Sequence, residues 1–157
     1  MRFRCLRPVG THAGFTLLEL MAAVAVIGVI TVLATPVFLS FLRAQELRGA
    51  AGQVAALLQQ ARQLAIASST SYRVEVDVTA NRLRFVRTSD DTPWTGPGAG
   101  SQGYWQLENQ SQITAVTANP TFNPLGTAGG GTITVAAAQG SQTLNVVVSS
   151  SGRVRIQ

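Results

Sequence analysis

An apolar segment near the amino terminus constrains this chain more than any other feature. Residues 15 to 42 carry a single charged side chain, Glu19, and the stretch before Pro36 is about 20 residues long. That length is enough for a helix to cross a hydrocarbon core of about 30 Å. Three arginines precede the segment, namely Arg2, Arg4 and Arg7. By the positive-inside rule they predict a cytoplasmic amino terminus, so the remainder of the chain would project outward from the membrane.

Two ordinary explanations of such a segment compete. One is a secretory signal cleaved near the small-residue pattern Val32-Leu33-Ala34, and the other is a plain signal anchor. Glu19 argues against both, because a carboxylate at the centre of a membrane helix costs roughly 2.5 to 3.5 kcal/mol and marks a functional site by default. Because Glu19 is near the end of the segment, its side chain can reach the interface, which lowers that cost. It does not explain why a glutamate is present there.

The junction before the apolar segment is the most specific motif in the chain. Residues 14 to 19 read Gly-Phe-Thr-Leu-Leu-Glu. A cut between Gly14 and Phe15 would keep the apolar helix on the mature chain, whereas a conventional signal loses it. The motif resembles the class III leader of type IV pilins and type II secretion pseudopilins. That resemblance implies removal of residues 1–14 by a prepilin peptidase, methylation of Phe15, and an assembly role for Glu19.

Composition limits the chemistry available to the rest of the chain. Hydrophobic residues make up 46% of the 157 residues and charged residues 12%, which predicts one folded domain and excludes a disordered chain. All 12 basic residues are Arg, and without the three near the amino terminus they almost balance the 7 acids. This composition by itself does not indicate nucleic-acid binding. The sole Cys5 and His12 lie within residues 1–14, so we expect no disulfide, metal or cofactor in the mature protein.

An enzyme built from this chain would depend on carboxylates, hydroxyls and arginines. Glu75 and Asp77 share one face of a predicted strand and resemble a catalytic pair. We interpret them instead as a solvated strand face beside arginines, and the Asp90-Asp91 pair as part of a turn. The run Gly129–Gly131 lacks the spacing of a phosphate loop and predicts a flexible turn. We therefore predict no enzyme, with a membrane-anchored hydrolase as the minor alternative.

Helical periodicity continues beyond the apolar segment. Pro36 should kink the helix, because it removes one backbone hydrogen bond. Mostly apolar residues then recur three and four apart on one face: Leu47, Ala50, Val54, Leu57, Ala61, Leu64 and Ser68. This seam predicts a helix to about residue 69 that packs on the chain's own strands, with a coiled-coil contact as the alternative. The predicted organisation is a leader (1–14), a transmembrane and filament-core helix (15–42) and a globular domain (43–157).

Strand periodicity replaces helical periodicity after residue 71. A hairpin is predicted around the turn at residues 79–81, with Arg82 and Arg84 paired across the strands with Asp77 and Glu75. Residues 88–103 form a Gly/Pro/Ser-rich loop. Further strands are predicted at Tyr104–Glu108, Gln112–Val116, Thr132–Ala137, Thr143–Ser149 and Arg153–Ile156. The fold class is therefore α+β, with one long bent helix packed on a small antiparallel β-sheet domain.

The carboxyl-terminal part of the chain is free of acidic residues from position 109 onward. Its last charges are in Gly152-Arg153-Val154-Arg155, where strand periodicity places both arginines on one side and Val154 and Ile156 on the other. This motif, with Phe122-Asn123-Pro124-Leu125-Gly126 before it, resembles the C-terminal half of the GspH/FimT family of minor pseudopilins. The resemblance implies a pilin-like fold and a tip or initiating subunit of a type II secretion pseudopilus or a type IV pilus.

The functional prediction is an assembly subunit of the bacterial inner membrane, with a periplasmic globular domain and other pilin-like subunits as partners. The alternative is a minor pilin that binds DNA for natural transformation. In that case Arg153 and Arg155 would bridge successive phosphates. The competing interpretation of this pair is that it only solvates the edge of a sheet.

Overall fold

A computed structural model describes residues 15–107, 111–137 and 142–157. The chain divides into two compact units, the first ending at Leu39 and the second comprising Ser40–Gln157. One helix, α1, spans Leu17–Ala67 and has Pro36 in its interior. The prediction that the helix continues beyond the apolar segment is confirmed, with an end two residues earlier than expected. The kink at Pro36 stays a prediction.

The described strands form two antiparallel sheets, which make up the predicted β-sheet domain. In chain order they are β1 (Tyr72–Asp77), β2 (Arg82–Arg87), β3 (Tyr104–Gln106), β4 (Gln112–Val116), β5 (Thr121–Phe122), β6 (Ala128–Gly129), β7 (Gly131–Ala136), β8 (Thr143–Val148) and β9 (Val154–Ile156). Sheet A has the order β3-β2-β1-β5-β6, and sheet B has the order β4-β7-β8-β9. A short 3₁₀ helix, Ser101–Gly103, precedes β3.

Sequence periodicity missed β5 and β6. Each has two residues, too few to show an alternating pattern, and β6 contains no strand-favouring side chain. The prediction of a flexible turn at Gly129–Gly131 is wrong, because Gly129 ends β6 and Gly131 begins β7. Of the other predicted strands, Gln112–Val116 has the predicted bounds, and the rest are present with ends shifted by one or two residues. The predicted end of β3 at Glu108 lies outside the described residues.

The hairpin of β1 and β2 has the predicted register. Glu75 lies opposite Arg84, and Asp77 lies opposite Arg82. Glu75 Oε2 is 2.8 Å from Arg84 Nη2, and its Oε1 is 2.8 Å from Arg73 Nη2. Asp77 Oδ2 is 3.1 Å from Arg82 Nε. These side chains keep roughly a third of their surface exposed, so each pair contributes less than about 1 kcal/mol.

The environment of these carboxylates does not prepare them for acid–base catalysis. Burial raises the pKa of Glu75, but hydrogen bonds from Arg73 and Arg84 outweigh burial and hold that pKa below its ordinary value. For Asp77, the Ala80 N–H donates to Oδ1 over 3.0 Å and lowers the pKa, with Arg82 adding to the effect. Both groups therefore stay ionised and paired at neutral pH, which supports their interpretation as a strand face.

The core of the second unit lies between α1 and both sheets. The predicted helix seam is buried from Leu47 to Ala61, and three further residues, Ala51, Leu58 and Ala65, extend it. The strands bury their larger apolar residues in the same cluster, among them Tyr72, Val74, Phe85, Phe122, Ile133, Val135, Val146 and Val148. This packing confirms an internal use of the seam over a coiled-coil contact.

The loop at residues 88–103 is anchored by aromatic rings. Trp94 stacks on Trp105 with ring centroids 5.6 Å apart, and Phe85 lies 4.3 Å from Trp105. The backbone N–H of Trp94 also donates to the carbonyl of Phe85 over 2.8 Å. A segment whose composition predicts only a loop is therefore packed on sheet A.

Arg62 connects α1 to the two C-terminal motifs. Its Nε donates to the carbonyl oxygen of Gly126 over 2.9 Å. Gly152 packs against the same carbonyl, and its φ of +75° lies in the left-handed region. A Cβ atom on Gly152 would overlap Gly126 O. The turn before β9 is thus held against the turn at residues 123–126, and both are held against the helix.

We predict that Gly152→Ala destabilises the protein by at least about 1–2 kcal/mol, the cost of a left-handed backbone for a residue with a side chain. The overlap with Gly126 O adds to that cost. Gly129→Ala is the matched control, because a Cβ there meets no atom within 4 Å. Chemical denaturation followed by circular dichroism measures both variants. Equal stability of the two would contradict the close approach.

We also predict a loss of stability in acid. The folded-state pKa values of Glu75, Asp77 and Asp90 lie below their ordinary values of 4.5, 3.8 and 3.8. Their contribution is therefore complete above the unfolded pKa values and is lost as the pH falls through the lower folded ones. The unfolding temperature should drop over that range, and it should drop less in Arg73→Gln/Arg84→Gln. A pH-independent unfolding temperature would refute the linkage.

Candidate functional site: the start of the helix and the C-terminal arginine strand

The start of α1 carries the N-terminal motif. Gly14 lies outside the described residues, and Phe15 is 84% exposed. Thr16 caps the helix, because its Oγ1 accepts a hydrogen bond from the backbone N–H of Glu19 over 3.2 Å. Its carbonyl accepts from the N–H of Leu20 over 3.1 Å. Residues 16–19 also have the spacing Thr-x-x-Glu of a capping box, a signal that is visible in the sequence.

Capping places Glu19 in the first helical turn. A negative charge there interacts favourably with the positive end of the helix dipole. Within the described residues, however, the Glu19 carboxylate forms no ion pair. It is therefore available to a cationic group from outside the described part of the chain.

The apolar side chains of the first unit are exposed. An 18-residue window of α1 has a mean hydropathy of 2.5 with none of its residues buried, so by length and composition the helix can cross a membrane. The exposed large residues include Leu17, Leu18, Val24, Ile27, Ile30, Leu33 and Phe38. A continuous apolar surface of this size marks contact with lipid or with other proteins.

Arg155 lies on β9, an edge strand of sheet B, and Arg153 directly precedes that strand. Val154 and Ile156 lie opposite Val148 and Val146, two buried residues, and therefore face the core side. Both arginines are exposed on the other side of the strand. The prediction that Arg153 and Arg155 share one face is confirmed.

An open cleft accompanies the two arginines. It has a volume of about 380 Å³ and is lined by Val147, Ser149, Ser151, Arg153, Arg155 and Gln157. Ser149 shapes the turn before β9, because its Oγ accepts from the Arg153 N–H over 3.3 Å and lies 2.9 Å from Ser151 Oγ. Among the described residues neither arginine contacts a carboxylate, in contrast to the four arginines of the first hairpin. The cleft thus offers two uncompensated cations beside hydroxyl groups.

The predicted site residues therefore form two separate groups. Phe15, Glu19 and Pro36 belong to the first unit, whereas Arg153 and Arg155 belong to the second. Arg62 is the residue that sequence reasoning missed. An arginine between apolar helix positions is ordinary on an exposed face, so only its contact with Gly126 reveals its part in holding the cleft. In the described part of the chain, no three His, Cys, Asp or Glu residues cluster as metal ligands would.

Comparison with known protein families gives two matches. The family model described as "Type II transport protein GspH" matches residues 50–152, and the "Prokaryotic N-terminal methylation motif" matches residues 11–35. No curated protein sequence matches the chain. The methylation-motif match contains Gly14–Glu19, and the GspH match contains Phe122–Gly126 but ends at Gly152, before Arg153 and Arg155.

Solved structures share the fold. The minor pseudopilin EpsH of the type II secretion system of Vibrio cholerae matches with a TM-score of 0.57 and 18% identity over 71% of this chain and 96% of that chain. The type IV minor pilin FimU of Pseudomonas aeruginosa matches with a TM-score of 0.54 and 16% identity over 74% and 92%. At such identities the likeness concerns the fold alone. None of these matches supports DNA binding by Arg153 and Arg155, which stays a prediction. Because the family model covers well over half of its residues, the chain belongs to the GspH family of minor pseudopilins and minor pilins.

Proposed function

We propose that this protein is a membrane-anchored, non-catalytic subunit that enters a type II secretion pseudopilus or a type IV pilus through its N-terminal helix. The observation that carries the proposal is the exposed apolar surface of the first unit, where Glu19 is the only charged residue among the described residues 15–39, on a chain of the GspH family. An unpaired carboxylate is unfavourable both in lipid and inside a bundle of helices. Glu19 therefore requires a partner group of opposite charge.

The partner group we propose is the amino terminus of a neighbouring subunit. Cleavage after Gly14 and methylation of Phe15 would give each subunit a positively charged amino group beside the start of its helix. Glu19 of the adjacent subunit would pair with it as the helices leave the lipid and pack together. Such a pair sets the register between subunits, because breaking a buried pair by removing one partner costs about 3–5 kcal/mol.

The remaining parts follow from this arrangement. Residues 1–14 would be a cytoplasmic leader removed by prepilin peptidase, residues 15–42 a transmembrane helix and then part of the filament core, and residues 43–157 a periplasmic domain. The carboxylates of the hairpin are paired with arginines, which supports a non-catalytic role for them. Similarity to both EpsH, from a secretion system, and FimU, from a pilus, leaves both machines as candidates. At the filament tip, the exposed face of the globular domain would contact the molecule that the tip binds.

Processing provides the first test of this function. Mass spectrometry of the membrane-extracted protein should show a chain that begins at methylated Phe15. Gly14→Arg should leave the precursor uncut, because a long charged side chain replaces the smallest one at the cleavage position. Gly10→Arg is the matched control, and it should be processed normally. A mature chain beginning near Thr35 would instead indicate a conventional signal peptide and would refute the proposal.

Glu19 provides the second test. Glu19→Ala should insert into the membrane at least as well as the unaltered protein, because it removes an intramembrane charge. Its recovery with the other pilin-like subunits should nevertheless fall by more than about 100-fold at the energies given above. Glu19→Gln should fail similarly, since it keeps the size and loses the charge.

Thr35→Ala is the control for this experiment. It removes a polar side chain that bonds within the helix, to the Thr31 carbonyl over 2.7 Å. Co-purification after cross-linking should therefore recover Thr35→Ala at the normal level. Normal recovery of both Glu19 variants would exclude the pairing role.

A further inference from the structure

The outer edge of β9 is the feature that assembly through the N-terminal helix leaves unused. Asn145 and Gln157 exchange two backbone hydrogen bonds of 2.8 Å, and Ser149 N–H donates to the Arg153 carbonyl over 3.0 Å. In an antiparallel pair the bonded positions alternate. Residues 153, 155 and 157 therefore bond to β8, whereas the N–H and C=O groups of Val154 and Ile156 point away from it. No described strand pairs with that side.

The two faces of this edge differ in chemistry. Arg153 and Arg155 are exposed on the outer face, beside Ser149 and without a carboxylate partner in the described residues. On the core face, Val154 packs against the core cluster and Ile156 remains 45% exposed. A strand added here would meet two cations on one side and an apolar margin on the other.

We propose that the edge of β9 binds an extended segment of a partner protein in which acidic and apolar residues alternate. The backbone of that segment would bond to the outward groups of Val154 and Ile156, as in other cases of strand addition. Its acidic side chains would pair with Arg153 and Arg155, and its apolar side chains would lie beside Ile156. A second copy of β9 is a poor occupant, because its arginines would lie against these arginines.

A peptide strand accounts for more of this edge than a nucleic acid does. Phosphates would use the two arginines and the outward N–H groups, but the outward carbonyl oxygens would repel them. Two cations also release few counterions, so binding of a nucleic acid through them alone would be weak. A peptide with alternating acidic and apolar residues satisfies the donors, the acceptors, the cations and the apolar margin together.

This interaction is independent of filament formation, so it can fail while the proposed assembly function holds, and the reverse. The experiment uses the full processed chain in detergent micelles. The probes are a fluorescent peptide that alternates glutamate and valine, a scrambled peptide of the same composition, and a single-stranded oligonucleotide. Fluorescence anisotropy should show salt-sensitive binding of the alternating peptide and weaker binding of the scrambled one.

Ile156→Pro separates strand addition from charge attraction. The only backbone hydrogen-bonding group that proline removes at this position is the outward N–H, and edge strands tolerate proline on that side. The alternating peptide should bind about fivefold more weakly or worse, the value expected for one lost hydrogen bond. Ile156→Ala is the matched control, because it trims the same side chain and keeps the N–H. Arg153→Gln/Arg155→Gln should also weaken binding of the peptide, through charge.

A measurement on the unaltered protein guards against variants that misfold. With the alternating peptide bound, amide hydrogen exchange should slow at Val154 and Ile156, the residues whose N–H groups face outward. Equal affinity for the alternating and scrambled peptides would overturn the proposal. So would binding of the oligonucleotide alone with no change in Ile156→Pro, which would assign the arginines to a nucleic acid.

Discussion

Burial of one face of α1, from Leu47 to Ala65, is the interaction on which the globular unit depends. The largest apolar side chains of both sheets join the buried helix residues in one hydrophobic cluster. Four of the eight buried helix residues are alanines, which contribute little volume to that cluster. Buried residues of α1, sheet A and sheet B thus form a single cluster.

Before Leu39, the apolar side chains of the same helix are exposed instead of buried. Its first part exposes nearly every large apolar side chain and carries a single charge close to its start. Capping by Thr16 and the helix dipole stabilise a carboxylate at that end without giving it a partner. One continuous helix thus provides a surface for the chain's own strands in one unit and a surface for lipid or other subunits in the other.

Segments that are distant in the sequence hold the turn before β9, which leads into Arg153 and Arg155. Arg62 from the helix, Gly126 from the loop after β5 and Gly152 from the turn before β9 meet at one carbonyl oxygen. Only glycine fits at residue 152, since its φ is positive and its Cα packs on that oxygen. The two motifs that resemble the GspH/FimT family are therefore one physical unit, although 25 residues separate Gly126 from Gly152. This unit fixes the start of the strand that presents Arg153 and Arg155.

Local periodicity by itself determined the long helix, its buried seam, the hairpin with its charge pairs, and the shared face of Arg153 and Arg155. Each of these depends on side chains a few residues apart, whose directions follow from the helical or extended backbone. The tertiary structure alone decided the division into two sheets, the short strands β5 and β6, the packing of Trp94 and the contact of Arg62 with Gly126. These features depend on groups far apart in the chain, and a two-residue strand forms only because its neighbours already offer unpaired backbone groups.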